Sequence, residues 1–353
     1  MKTRLGRSLL AVFCLTLLGA PAQARDSFRI AWSIYVGWMP WGYAADQGIV
    51  DRWADKYGID IEIVQINDYI ESINQYTAGA FDGCTMTNMD ALTIPAAGGV
   101  DSTALIVGDF SNGNDGLVLR GSDQLAEVRG RDVHLVELSV SHYLLARALD
   151  SVGLRERDLR VVNTGDADIV AAYATAGDDA AVVTWNPQLA EVAAMPDAHR
   201  VFDSADIPGE IIDLLVVNSE TLAAHPELGK ALTGAWYETL ALMTQDTPAG
   251  AAARAAMGQA AGTDRAGYEA QLATTRLFDQ PAEAAAFSRA ADLVRTMDRV
   301  RQFSFEHGLL GQGAADADVV GIAFPGGTVL GDADNVQLRY DDHYMELAAD
   351  GAL

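Results

Sequence analysis

Leu105-Ile106-Val107-Gly108-Asp109-Phe110-Ser111-Asn112-Gly113-Asn114-Asp115-Gly116-Leu117-Val118-Leu119 joins two apolar runs through a cluster of turn-forming residues. The cluster from Ser111 to Gly116 stops a strand-like pattern directly before Leu117-Val118-Leu119, and reads as the place where the chain leaves one lobe and enters another. Toward the N-terminus, short β-branched runs alternate with helical stretches, which favours βαβ units and a mostly parallel sheet. Phe28 to Ser33, Asp60 to Ile66, Gly83 to Thr87 and Leu105 to Val107 are the expected strands. Pro40 to Lys56, Ile70 to Ala78 and Ala91 to Ala97 are the expected helices between them, the first with proline in its opening turn.

Beyond the cluster a second α/β series is expected, with strands at Val133 to Glu137, Leu159 to Asn163 and Ala180 to Thr184. It ends at Ile207-Pro208-Gly209, and the apolar run Ile211 to Val217 is the expected return crossing. The rest is Ala-rich and helical from Ser219 to His307, followed by a Gly-rich tail. The fold class is therefore α/β with two lobes. One lobe spans residues 25–114 and is resumed at 209–307, the second is inserted at 115–208, and a tail at 308–353 is expected to pack on the first.

Lys2, Arg4 and Arg7, the apolar run Leu9 to Leu18, and Ala22-Gln23-Ala24 have the charged, apolar and small-residue layout of a signal peptide, which places cleavage after Ala24. No stretch approaches the ~20 apolar residues of a membrane-spanning helix, so no stable membrane insertion is expected. Cys84 is the one cysteine of the mature chain. It cannot form an intrachain disulfide or a cysteine-rich metal site, and a buried strand position suits it. With 49 acidic against 24 basic residues the formal charge is −25, a field that repels nucleic acid and anionic membrane surfaces.

Three stretches carry a resemblance: Ser33-Ile34-Tyr35-Val36-Gly37-Trp38, Tyr76-Thr77-Ala78-Gly79-Ala80-Phe81-Asp82-Gly83 and Ser139-Val140-Ser141-His142-Tyr143-Leu144-Leu145. In this order and spacing the chain resembles the nitrate/taurine-type family of periplasmic binding proteins over nearly its whole mature length. Trp32 to Trp41, Gln65 to Tyr69, Met86 to Leu92 and Val183 to Gln188 are similar to the subgroup encoded beside urea carboxylases. The resemblance implies a type II binding-protein fold, a periplasmic location, a monomer, and an ABC permease and ATPase as partners. It further implies a small ligand in the cleft between lobes, with guanidine or urea as cargo.

In open α/β sheets ligands bind beyond the carboxyl ends of strands, and a helix N-terminus there suits anions. Here those places hold Asp68, Asp90 and Glu137, which oppose an anion and suit guanidinium, whose N–H groups pair with carboxylates. Asp68 and Asp90 also sit where helices begin, where Asp is a preferred cap. Trp38, Trp41 and Trp185 offer flat faces for a cation, although Trp41 equally suits the buried face of the first helix. Asn88 and Asn186 add amides of the kind neutral urea would want. Ser139 and His142 stand at the start of a lobe-two helix, where capping and packing are competing roles.

No metal or cofactor site is expected: Asp166 and Asp168 have no His close by, and Gly308 to Gly313 lacks nucleotide-binding spacing. Two classes of function stay open. A binding protein that delivers guanidinium, urea or an anion, in that order of preference, fits export and an acidic, aromatic cleft. An enzyme resembling thiamin-pyrimidine synthases would need nucleophiles this chain lacks. Glu137→Gln is expected to weaken guanidinium binding tenfold or more.

Overall fold

The computed structural model describes residues 25–353, so the expected leader at 1–24 lies outside the described residues. The strands in chain order are β1 (Ser27–Trp32), β2 (Asp60–Gln65), β3 (Gly83–Thr87), β4 (Ser102–Ser111), β5 (Asp115–Arg120), β6 (Asp132–Leu135) and β7 (Arg160–Asn163). They continue as β8 (Ala181–Trp185), β9 (Ala198–Asp203), β10 (Ile212–Asn218), β11 (Thr275–Leu277), β12 (Gly321–Ala323), β13 (Val329–Leu330) and β14 (Val336–Tyr340).

Two sheets result. The first runs β13-β12-β14-β4-β10-β3-β1-β2 with β11 also on β4, and the second runs β7-β6-β8-β5-β9. The chain leaves the first sheet between Ser111 and Asp115 and returns to it between Asp203 and Ile212. Both sheets are mixed. In the first, β1 pairs parallel with β2 and β3, whereas β10 runs antiparallel between β3 and β4. In the second, β6 pairs parallel with β7 and β8, and β5 runs antiparallel to β8 and β9. β3 and β8 are buried at every residue, as strands covered on both faces must be, and they read accordingly as unbroken apolar or small runs.

The differences from the sequence-based expectation are local. The single helix expected over Pro40 to Lys56 is two, Met39–Asp46 and Ile49–Tyr57, because Gly48 takes a left-handed conformation at φ 63° and breaks it. The fourth strand is ten residues long rather than three, and the helical segment 219–307 contains the short strand β11, which pairs with β4. The tail contributes three strands that extend the first sheet through β14 on β4. Trp41 stacks on Trp236 of the helix Pro226–Met243 at 5.1 Å between ring centroids, and both are buried. Among the described residues no helix is long and apolar enough to cross a membrane.

Candidate functional site

The crossing strands bring polar side chains to one row. Thr87 on β3, Asp213 on β10 and Asp109 on β4 stand opposite one another in register. In the second sheet Asp115, the first residue of β5, pairs in register with Trp185, the last of β8. The ends of the two sheets meet around a small cavity of about 20 Å³, lined by Tyr35, Trp38, Tyr69, Thr87, Asp115, Val140, Trp185, Ile211 and Asp213.

Aromatic rings form a continuous wall. Tyr35 meets Trp38 edge-on at 4.9 Å, Trp38 lies tilted against Tyr69 at 5.8 Å, and Tyr69 meets Trp185 edge-on at 5.6 Å. Tyr35 and Trp38 belong to the turn after β1, where the Trp38 and Met39 amides donate to the Tyr35 carbonyl. Gly37 is required in that turn, since a Cβ there would stand 2.3 Å from Asp109 Oδ2. Tyr69 begins the helix Tyr69–Thr77, and its hydroxyl donates to Asp90 Oδ2 at 2.6 Å while accepting the Thr87 amide at 3.0 Å. Thr87 caps the short helix Asn88–Ala91, and its hydroxyl donates to the same Asp90 oxygen at 2.8 Å.

The electrostatics are one-sided. Asp90, Asp109, Asp115 and Asp213 are all buried, and among the described residues no Lys, Arg or His pairs with any of them. Tyr35 donates to Asp109 Oδ1 at 2.8 Å and Ser111 to Asp115 Oδ2 at 2.5 Å. Asp90 Oδ1, Asp109 Oδ2 and Asp213 Oδ2 accept nothing, and the Trp38 indole N–H and the Ser141 hydroxyl are also without partners. Burial pushes the carboxyl of Asp90 up to about 6 and that of Asp115 up to about 7. Asp109 and Asp213 are raised for the same reason; the charge of Asp109 raises Asp213 further, whereas a hydrogen bond from Asp213 draws Asp109 back down. Orphaned acceptors of this kind are costly in a folded protein unless a ligand supplies the donors.

A family model described as NMT1/THI5 like matches residues 53–251, more than half of the chain. The chain belongs to the NMT1/THI5-like family. No sequence among the curated proteins matches it significantly. The alkanesulfonate-binding protein SsuA from Xanthomonas axonopodis pv. citri, bound to MOPS, is similar in structure with a TM-score of 0.67 at 17% identity, over 82% of this chain and 96% of that one. The periplasmic aliphatic sulphonate binding protein SsuA from Escherichia coli gives 0.61 at 17%, over 81% and 89%. The periplasmic nitrate-binding protein NrtA from Synechocystis PCC 6803 gives 0.56 at 12%, over 93% and 99%. At such identities the likeness fixes the fold, which is that of the periplasmic binding proteins.

In this NMT1/THI5-like chain Trp38 and Trp185 line the cavity, and Asp90 is held at its edge by Tyr69 and Thr87. Other residues singled out in the sequence lie elsewhere. Asp68 is exposed and caps its helix by accepting the Glu71 amide at 2.9 Å. Glu137 is exposed and outside the cavity, because β6 ends at Leu135 and Leu138 turns the chain outward with φ 63°. Trp41 is core. Asn88 fastens the return crossing, donating to the Glu210 carbonyl at 3.1 Å and accepting the Ile212 amide at 3.1 Å. Asn186 donates to Thr274 Oγ1 at 3.3 Å and accepts the Ala190 amide at 3.0 Å. Ser139 caps the helix Val140–Ser151. Sequence reading missed Tyr35, Tyr69, Asp109, Asp115 and Asp213; a carboxylate inside an apolar strand such as Ile211-Ile212-Asp213-Leu214 was the available signal.

His142 serves a different contact. Its Nδ1 accepts the Leu138 amide at 3.1 Å, so Nε2 carries the proton that is donated to Glu156 Oε1 at 3.0 Å. His307 Nδ1 donates to the Phe303 carbonyl at 2.8 Å, and its Nε2 faces the same Glu156 oxygen at 2.7 Å. That geometry requires a doubly protonated His307, and His142 cannot also offer Nε2 to a metal ion. The contact ties the second-sheet part to the end of the helix Ala291–Glu306, beside Arg147 and Arg299, which share the Glu210 carboxylate.

Hydrogen bonds from His142 and His307 hold the Glu156 carboxyl well below the usual carboxylate range, and the hydrogen bond to Glu156 raises His307. The His307 contribution is complete below the free histidine value of about 6.5 and is lost as pH rises through its raised value. The Glu156 contribution is complete above the free carboxyl value of about 4.3 and is lost progressively as pH falls below it. Glu156→Gln is therefore expected to lower the melting temperature more at pH 6 than at pH 9. Equal losses in scanning calorimetry at the two values would rule out a charged His307.

Proposed function

We propose that this protein is the periplasmic solute-binding component of an ABC importer and that it encloses a small planar nitrogen cation, guanidinium first. The fold and family support the solute-binding role. The observation that carries the cargo is the set of buried carboxylates without cationic partners, beside a cavity walled by Tyr35, Trp38, Tyr69 and Trp185. A planar cation with N–H donors on its edges would satisfy the free oxygen of Asp213 and pair with Asp115, both of which line the cavity, with Asp90 and Asp109 behind the lining adding negative charge, while its faces lie against indole rings. An anion of the class named for the similar sulfonate and nitrate proteins would face buried carboxylates with no Lys, Arg or His paired to them. Urea is the second reading, supported by the Trp38 indole N–H, a donor of the cavity wall free to meet a carbonyl oxygen.

Residues of both sheets line the cavity, with Val140 approaching Asp90 from the second-sheet part. The ligand would first meet Asp213, Thr87, Tyr35, Trp38 and Tyr69 on the first part. Closure about the crossings at Ser111 to Asp115 and Asp203 to Ile212 would then bring Trp185 onto it and form the species a permease and ATPase recognise, the ligand favouring closure through the contacts made only there. Cys84, the one free thiol among the described residues, is buried on β3, bonded to Ser72 and pushed up to about 12 by burial, which gives the enzyme reading no activated nucleophile there.

Titration calorimetry of the purified protein with guanidinium chloride, urea and taurine tests the assignment. Heat with guanidinium, little with urea and none with taurine is expected. Heat with urea alone would favour the second reading, and heat with taurine alone would reject a cationic site.

A further inference from the structure

Asp109 and Asp213 face each other across adjacent antiparallel strands. Both are buried, and each has one oxygen with no donor. The groups around them add no positive charge. Tyr35 donates to Asp109 from the turn after β1, Asp115 approaches from β5, and Asp90 lies beyond on the helix after β3. The Tyr268 hydroxyl, close enough to feel the Asp109 charge, is occupied with the Val36 carbonyl and Met257 Sδ. Arg254, whose charge reaches Tyr268, is engaged by Glu269 and the carbonyls of Met243 and Gln245. Two adjacent buried carboxylates in such surroundings do not both ionise readily, since the second charge meets the first with no cationic side chain paired to either.

We infer that Asp109 and Asp213 share one proton in the cleft without ligand, and that a guanidinium-class monocation enters in exchange for that proton. The inference rests on the cation-binding reading above. In the exchange the carboxyl O–H bond breaks, its electron pair stays on the carboxylate oxygen, and the proton passes to buffer while the cation takes its place beside the pair, on the Asp213 side that lines the cavity. The charge of the filled cleft equals that of the empty one. A neutral ligand such as urea brings no charge to replace the proton and enters without releasing it. The aspartate pair thus selects for charge, while the aromatic walls select for shape.

Calorimetry of the whole protein with guanidinium chloride at pH 7, in phosphate and in Tris, tests this. These buffers differ in ionisation enthalpy, so a released proton makes the observed heats differ. The titrations are repeated in His307→Gln, because closure onto Glu156 would take up a proton at His307 and mask part of the release. Release of about one proton per ligand in His307→Gln is expected, with affinity increasing as pH is raised toward 7, by up to about tenfold per pH unit. Binding with the same heat in both buffers would overturn the exchange and leave the cation reading standing. Absence of any guanidinium binding would overturn that reading itself. In Asp109→Asn the release is expected to fall toward zero, and a full proton released by that variant would remove the pair as its source.

Discussion

Asp213→Asn is expected to lower the affinity for guanidinium about 100-fold, the upper part of the range for a hydrogen bond to a charged group at about 1.5 to 3 kcal/mol. The upper part applies because Asp213 is buried beside the cavity, away from solvent that could take over its role. The substitution preserves shape and removes one ionisable oxygen, and its amide has a ready acceptor in Asp109 across the strand pair. The ligand-free protein should melt at the same temperature or higher in this variant. Burial raises the wild-type carboxyl well above its ordinary range, so near neutral pH Asp213 is held protonated or charged at a cost the unfolded chain does not bear. Opposite signs for affinity and stability separate a lost ligand contact from a damaged fold. Thermal scans and calorimetry on one preparation measure both. Unchanged affinity would remove Asp213 from the site. Glu137→Gln is the matched surface control: exposed and outside the cavity, Glu137 is now expected to leave affinity unchanged, in place of the tenfold loss its position in the sequence suggested.

The stretch from Leu105 to Leu119 explains both what the sequence discloses and what it conceals. Its turn formers mark the change of sheet, because Gly and Asn tolerate the backbone that a crossing needs, and that signal is local. The role of Asp109 depends on a partner more than a hundred positions away, which antiparallel pairing sets opposite it. In a one-dimensional reading Asp109 and Asp115 look like turn residues and Asp213 like a blemish in an apolar strand. Their burial exists only once β10 has inserted between β3 and β4. Trp38 and Trp185 were accessible to sequence reasoning because each stands at a strand end or in a tight turn, where a core indole is out of place. Trp41, a few residues on, belongs to a helix whose period turns it toward Trp236. Asp68 shows the limit of the helix-start rule: its carboxylate serves its own helix as a cap, whereas Asp90, also at a helix start, is pulled inward by Tyr69 and Thr87.

Trp185→Ala is expected to weaken guanidinium binding about 30-fold, the equivalent of a desolvated cation–π contact of about 2 kcal/mol. Trp185 is the aromatic wall supplied by the second sheet, meeting Tyr69 edge-on across the cavity. Its contribution is made only when the two parts close, so the loss should appear mainly as faster dissociation, with association on the first-sheet side little changed. Trp185→Phe keeps a π face and should recover most of the affinity. The same truncation enlarges a small cavity. Methylguanidinium should therefore lose less than guanidinium does, and the ratio of the two affinities is the discriminating readout. Loss of a ring that merely supports the fold would weaken both ligands equally and lower the melting temperature. A wall of the binding slot changes their ratio, because the space that the indole vacates lies where the added methyl group must go.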